Sequence, residues 1–409
     1  MPKLLIIGFV WPEPKSSAAG SRMMQLIDVF LTEGYDITFA SPCAKSKNAF
    51  NLEFLDIAQV EIELNNSSFD GFISKLKPNI VLFDRFMMEE QFGWRVTEYC
   101  PEALRILDTE DLHCLRKARE QAFKDKKTFD ASYLFRDIAK REIASIYRSD
   151  LSIIISDVEM SVLQNNFNVP ENLLHYLPFL IEEVSETNLT NLPSFKERNH
   201  FTTIGNFLHP PNLDSVKYLK KTIWPKIRDE LKDAELHVYG SYANEKATQY
   251  EDKKIGLYVK GFVENVDDVM SSARVCLSPL RYGAGIKGKF FDAMQNGLPF
   301  ITTSVGAEGI VGPNREHDFV LDDVDAIVNY AVQLYQNEEL WKSQQETGFK
   351  FLSNKFNKAF HARRFLNRLE NVLTNKDTNR LQNFTGAMLS YHTMQSTKYM
   401  ARWIEEKNK

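Results

Sequence analysis

The sequence predicts two doubly wound α/β domains facing each other across a cleft, with helices from about residue 355 to the end. Three observations carry this. Short apolar runs alternate with helical patterns through the first half of the chain. A polar stretch, EEVSETNLTNLPSFKERN at 182–199, separates that half from a second series of the same kind. A chain of 409 residues is also too long for one ordinary core, and 43% hydrophobic residues supply apolar surface for two.

In the first half the apolar runs at 4–10, 35–40, 79–83, 104–107 and 151–155 read as strands. Their near-continuous apolar character marks parallel strands covered on both faces. Helices over 20–33, 87–99, 112–148 and 157–166 fill the gaps. After the polar linker, strands are expected at 201–204, 235–239, 256–259, 274–280, 300–303 and 318–321, with a first helix from about 212 to 231. The expected division is 1–181, a linker at 182–199, 200–354, and helices over 355–409. Phe356, Phe360, Phe365 and Leu369 offer an apolar face, and the family resemblance set out below implies that these helices cross back to the first domain. A chain truncated before Lys355 should then have a destabilised first domain, whereas truncation after Asn375 leaves the cross-back face in place. Leu381, Phe384, Met388 and Tyr391 repeat at helical spacing, continued by Tyr399 and Trp403, a stripe expected to pack on the body of the protein, with a partner or membrane surface as the alternative.

Composition narrows the function. The formal charge of −5 argues against bulk nucleic-acid binding. Cys43, Cys100, Cys114 and Cys276 lie without CxxC spacing, and the eight histidines form no HxxxH or HExxH, so neither a disulfide frame nor a dedicated metal site is expected. The apolar run near the N-terminus is too short to span a membrane and reads as a first strand, consistent with a cytoplasmic protein. From His113 to Arg148 there are ten Lys/Arg and five Asp/Glu, either a solvated helix face or a surface for anionic membrane at its inner face.

The most informative segment is LSPLRYGAGIKGKFFDAMQNGLPFITTSVGAEGI, 277–310. A buried strand breaks into a loop with Gly283, Gly285 and Gly288, and the loop opens a helix ended by Gly297 and Pro299. Glycines let backbone approach a ligand, and free N–H groups at a helix start favour an anion. Arg281, Lys287 and Lys289 crowd that end without an acid, against the macrodipole, which a bound phosphate would resolve. The G-x-G-x-x-G spacing with Glu308 also fits a dinucleotide fingerprint and an NAD-dependent oxidoreductase. Against that, it follows the fourth strand of its domain, and Glu308 sits in a second glycine loop.

GAGIKGK, DAMQNGLPFITT and GAEGI, with IGNFLHPPNLDSVKYLKKTIWPKI (204–227), VYG (238–240) and VKGFVENVDDVMSSARV (259–275), resemble the donor-binding domain of GT-B glycosyltransferases of family 4, the group 1 glycosyl transferases. The resemblance covers most of 200–370 and implies two Rossmann-like domains of the GT-B fold. It implies phosphate contacts from Arg281 and Lys287, joined by Lys289, and a ribose contact from Asp292, where the family has Glu. Asp292 also stands at i,i+3 from Lys289, the spacing of a local ion pair. Gly306, Ala307, Glu308 and Gly309 would lie by the pyrophosphate or the transferred sugar. Two departures stand out: Ala284 occupies the first acidic position of the Glu-x7-Glu pattern, and Asn206 with HPPN (209–212) replaces the usual Arg…Lys pair.

In the first domain, PEPKSSAAGSR (12–22) follows the first strand where such enzymes cover the donor and acceptor. Gly20 allows close approach, and Ser21 is either a helix cap or a phosphate contact. Asp111 and His113 resemble the positions beside the transferred sugar or the acceptor. Arg85, Glu89 and Glu90 are further acceptor-side candidates, and Ser156 and Glu159 follow another strand end, with Ser156 suited to an N-cap. The reading implied is a metal-independent, cofactor-free, retaining transferase. Its substrates would be a UDP- or GDP-linked sugar and a glycan or lipid-linked hydroxyl. The rival from another class is a silent GT-B scaffold, motivated by Ala284 and Asp292.

Overall fold

The computed structural model describes residues 1–183, 191–243, 245–311 and 317–409. The first domain is a seven-stranded parallel sheet: β1 (Lys3–Ile7), β2 (Asp36–Ser41), β3 (Ala58–Glu61), β4 (Ile80–Asp84), β5 (Leu104–Asp108), β6 (Leu151–Ile154) and β7 (Leu174–Tyr176). Their order is β3-β2-β1-β4-β5-β6-β7. The period-2 alternation of each strand sorts its side chains between two layers. Leu5, Ile7, Val81 and Phe83 enter one core, while Leu4, Ile6, Ile80 and Leu82 enter the other. Helices α1 (Ala18–Thr32), α2 (Ser68–Leu76), α3 (Phe86–Tyr99), α4 (His113–Lys124), α5 (Asp137–Arg148) and α6 (Asp157–Phe167) cover these faces.

The second domain is a five-stranded parallel sheet: β8 (Asn199–Ile204), β9 (Leu236–Tyr239), β10 (Leu257–Gly261), β11 (Ala273–Ser278) and β12 (Phe300–Thr302), in the order β10-β9-β8-β11-β12. The run expected as a strand at 318–321 makes a single parallel bridge, Thr302 to Val320. Two short edge strands, β3 and β7, were not expected from pattern. β3 (AQVE) is half-exposed and lacks the apolar run that marks a covered strand, and β7 has three residues. The long helical stretch over 112–148 is two helices, α4 and α5. Of the expected linker, 184–190 lie outside the described residues.

The chain crosses between domains twice, and the crossings run side by side. Ile181 N–H donates to Phe356 O at 2.8 Å and Lys358 N–H to Ile181 O at 2.9 Å. Beyond this ribbon the helix Lys358–Thr374 lays Phe365, Leu369 and Val372, all buried, into the second core layer of the first domain. The helix Lys376–Gln382 follows, and Arg380 forks onto Asp150 at 2.7 Å through two nitrogens.

The last helix, Phe384–Asn408, packs against α3 and α5. Its docking face is made of small residues, Gly386, Ser390, Thr393 and Ala401, which lets the backbones approach. The bulk therefore points outward: Leu381, Phe384, Met388, Tyr391, Tyr399 and Trp403 are exposed, contrary to the expected inward stripe. A Cβ on Gly386 would collide with the carbonyl oxygen of Tyr147, backbone against backbone. Gly386→Ala should therefore undock this helix. Limited trypsin digestion would show it as early cleavage near Lys398 and Arg402 at unchanged protection of the sheets; an unchanged digest would refute the docking.

Candidate functional site

Each sheet reverses its strand order once, between β1 and β4 and between β8 and β11, and ligands of such sheets bind outside the strand ends at these points. The loops that leave those ends meet across the cleft. Ser17 caps α1, its hydroxyl accepting from Gly20 N–H at 3.0 Å. Ser21 is therefore not the cap; it lies in the first turn and donates to Pro14 O at 2.9 Å. Gly20 has no room for a Cβ, because the backbone of Glu13 lies on it. Opposite, Lys287 precedes the helix Gly288–Gln295, and a Cβ on Gly288 would lie 2.8 Å from the Cβ of Ala18. Two helix N-termini thus abut, and neither has an acid in its first turn. Each end carries about +0.5 charge, so their meeting is repulsive until an anion sits there.

Lys287 Nζ donates to Gly285 O and Val305 O, each at 2.8 Å, and burial pulls its pKa down to about 8 against the pull of Glu308. Lys289 Nζ donates to Asn212 Oδ1 at 3.0 Å and is likewise lowered by burial to about 8. Lys289 therefore turns to Asn212, while Asp292 is pushed up to about 7 by burial and by Asp267, with Lys289 opposing. Arg281 forks onto Asp214 at 2.9 and 2.6 Å, its guanidinium lying between the rings of Phe123 and Tyr218. Glu308 is held bidentately by Arg119 at 2.6 and 2.7 Å, and the same guanidinium donates to Gly283 O at 2.8 Å. Around it, Gly306 packs its Cα on Thr302, Ala307 is wholly buried, and Gly309 takes a left-handed φ of +78° against Ile286.

On the first-domain side, Asp111 lies 2.9 Å from Arg116 Nε and 3.4 Å from His113 Nε2. Burial raises its carboxyl, but Arg116 and His113 outweigh it and hold it below the usual range. Burial pushes His113 down to about 4 despite Asp111, so the ring is neutral at pH 7. The start of α4 is satisfied from α5: Glu142 accepts from His113 N–H at 2.9 Å and Cys114 N–H at 2.8 Å, and burial pushes it up to about 7. Arg116 also reaches His209 Nε2 at 3.4 Å, from the other domain.

Arg85, at the end of β4, has a left-handed φ of +71° and lies 3.5 Å from Asp84. Glu89 and Glu90 are not brought to the cleft. One turn into α3 they face α5, where Arg148 holds Glu89 and Arg141 holds Glu90, each with its closest contact at 2.5 Å. The basic excess of 113–148 is largely spent in the same way. Arg116 and Arg119 cross the cleft, Arg141 and Arg148 bind acids of α3, and Lys117 and Lys124 pair with Glu120. Ser156 caps α6, accepting from Val158 N–H at 3.2 Å.

Comparison with known structures fits this geometry. The protein superposes on sucrose-phosphate synthase of Thermosynechococcus elongatus with a TM-score of 0.65, at 14% identity over 91% of this chain and 100% of that one. It superposes on Anabaena Alr3699/HepE, solved with UDP and glucose, with a TM-score of 0.66 at 11% identity over 90% and 100%. For S. aureus TarM the TM-score is 0.69 at 10% identity over 90% and 98%. The fold is GT-B. Within it, residues 198–337 match the sequence model of the family described as glycosyl transferases group 1. A curated Klebsiella pneumoniae protein, described as an uncharacterized 44.6 kDa protein in the cps region, is 26% identical over 149 residues. That match spans 34% of this chain and 38% of the relative.

Sequence reasoning missed Arg119 and Glu142 in this GT-B cleft, and named His209 only as part of HPPN (209–212), without its contact to Arg116. A signal for the first was present. Arg116, Arg119 and Phe123 fall on one face of α4 at i, i+3 and i+7, and all three meet the second domain, Phe123 stacking on Tyr282 at 5.2 Å. Glu142 and His209 left no such signal, since each acts across a long sequence separation.

Proposed function

We propose that the protein is a glycosyltransferase that moves a sugar from a UDP- or GDP-linked donor to a hydroxyl of a glycan or lipid-linked acceptor, with retention of configuration. The observation that carries this reading is the meeting of two acid-free helix N-termini at Ala18 and Gly288, with Lys287 and Lys289 beside them. This is a seat for a diphosphate. The relatives point the same way: HepE was solved with UDP and glucose, and WaaG is described as a glycosyltransferase of lipopolysaccharide biosynthesis.

In this reading the acceptor oxygen bonds to the anomeric carbon as the carbon–oxygen bond to the diphosphate breaks on the same face. The acceptor proton passes to a leaving phosphate oxygen. Lys287 and the two helix ends stabilise the growing charge, in place of a metal ion. Lys289 and Arg281 flank the nucleotide, Asp292 faces the ribose, and Asp111 with neutral His113 and Arg85 line the acceptor side. Among the described residues no helix is long and apolar enough to cross a membrane. For a cytoplasmic enzyme that touches an anionic surface, the exposed Lys126, Lys127 and Arg136, with Lys140 in an exposed pair with Asp137, are the cations of that stretch left to do so.

Thermal shift over a panel of nucleotide diphosphate sugars tests the reading. At one hundred times its dissociation constant the matched donor adds about 2.7 kcal/mol of stability, a shift of several degrees. A flat response across the panel refutes it. A donor that binds and is never turned over would instead favour the silent scaffold, for which Ala284 and the locking of Arg281 by Asp214 speak.

A further inference from the structure

The glycine loop of the second domain is held almost residue by residue by the first. Gly283 O accepts from Arg119 Nη1 at 2.8 Å. Ala284 packs on the core of the first domain. Gly285 N–H donates to Glu159 Oε1 at 2.8 Å, and its Cα faces Asp111 so closely that an added Cβ would lie 2.9 Å from the Asp111 Cβ. With a φ of +65° Gly285 occupies the left-handed region that glycine tolerates best. The same oxygen of Glu159 also accepts from Leu112 N–H at 2.9 Å, so one carboxylate atom ties α4's entry to the loop.

Local rules give Glu159 a different task. Ser156-Asp-Val-Glu159 has the spacing of a capping box, in which the glutamate reaches back to the cap's own N–H. Ser156 does cap α6, yet Glu159 leaves the box and spends its oxygen across the cleft. It does so while 1% exposed, with Oε2 buried and taking no hydrogen bond. A buried carboxyl left half-satisfied is costly, and a side chain that forgoes a local cap for such a place is held there by the loop it serves.

We infer that Glu159, with Arg119, is a positioning residue through which the first domain sets the conformation of the glycine loop 283–288, supplying from across the cleft the carboxylate that the loop lacks at Ala284. The contact joins the two domains, so it acts on the loop's conformation and leaves the second domain's own nucleotide-binding side chains in place. This rests on the transferase reading for its catalytic consequence, but its structural half stands alone.

Amide hydrogen exchange tests that half without any substrate. In Glu159→Ala, exchange over 283–288 should rise about tenfold, the loss of one buried hydrogen bond. Glu159→Gln, whose carbonyl oxygen can accept from both Leu112 and Gly285, should restore protection. Arg119→Lys, which loses the fork, should raise exchange over the same loop while α6 stays protected. In sugar transfer, Glu159→Ala should lower kcat about tenfold while the dissociation constant for the free nucleoside diphosphate changes less than about twofold. Loop exchange within twofold of the native protein in Glu159→Ala overturns the inference. If that variant does not fold, Glu159→Gln exchanging like an unprotected loop, or Arg119→Lys leaving it protected, overturns it equally. Exchange that behaves as expected in a protein that turns over no donor refutes the transferase reading and leaves the loop assignment standing.

Discussion

Lys287→Ala is expected to lower sugar transfer by about a hundredfold to a thousandfold, the loss seen when one preorganised donor to a developing oxyanion is removed. The ammonium sits at the first residue before a helix N-terminus, within reach of the diphosphate seat, and two backbone carbonyls aim it. Those carbonyls fix its direction without neutralising its charge. Turnover within threefold of the native protein, with a matched donor, would remove Lys287 from the phosphate role. The pH dependence gives a second check. With its pKa lowered by burial to about 8, the free enzyme carries this charge below pH 8 and loses it above, so kcat/KM should fall on the alkaline side. Stability has the opposite sign in that range. Between about 8 and the ordinary lysine value the unfolded chain binds the extra proton, so Lys287 makes folding more favourable as pH rises while activity declines. Parallel loss of activity and stability above pH 8 would mean that unfolding, not this lysine, sets the profile.

A chain ending at Asn357 is expected not to fold its first domain. It would lack Phe365, Leu369 and Val372, three buried side chains of the second core layer. At about 1.5–3 kcal/mol each, they match the whole stability of an ordinary domain, about 5–15 kcal/mol. Circular dichroism and a cooperative melt would show this, and a native-like transition in the shortened chain would refute it. A chain ending at Asn375 keeps that helix but loses Arg380, leaving the buried Asp150 with Arg105 at 3.6 Å and the amide of residue 105. It should fold with stability lowered by about 1–3 kcal/mol, which a denaturant melt would measure.

The legible parts of this molecule are those governed by local pattern. The alternation of β1, β4 and β5 is written in runs such as IVLFD, and the glycine loop before Gly288 in its spacing. Lys287 and Asp292 stood out in the sequence because the glycine loop and the helix that carry them form one continuous segment. Between cap and phosphate contact Ser21 stayed open in the sequence because Ser17, four residues earlier, is an equally good cap, and only the course of the loop over Gly20 decides for Ser17. Arg119 read as one cation among ten, since nothing local tells an arginine facing water from one facing Glu308. The outward stripe of the tail was missed for a related reason. Pattern shows which face is apolar, but Gly386 and its small neighbours choose which face docks.

The position of α4 bears on how such proteins can be recombined. It belongs to the first domain by chain order, yet Arg116, Arg119 and Phe123 complete the wall of the second. The natural seam for exchanging halves between relatives is therefore not the polar linker. A chimera cut there inherits an α4 fitted to another protein's glycine loop, so an exchange that keeps the cleft intact must move α4 together with 283–308.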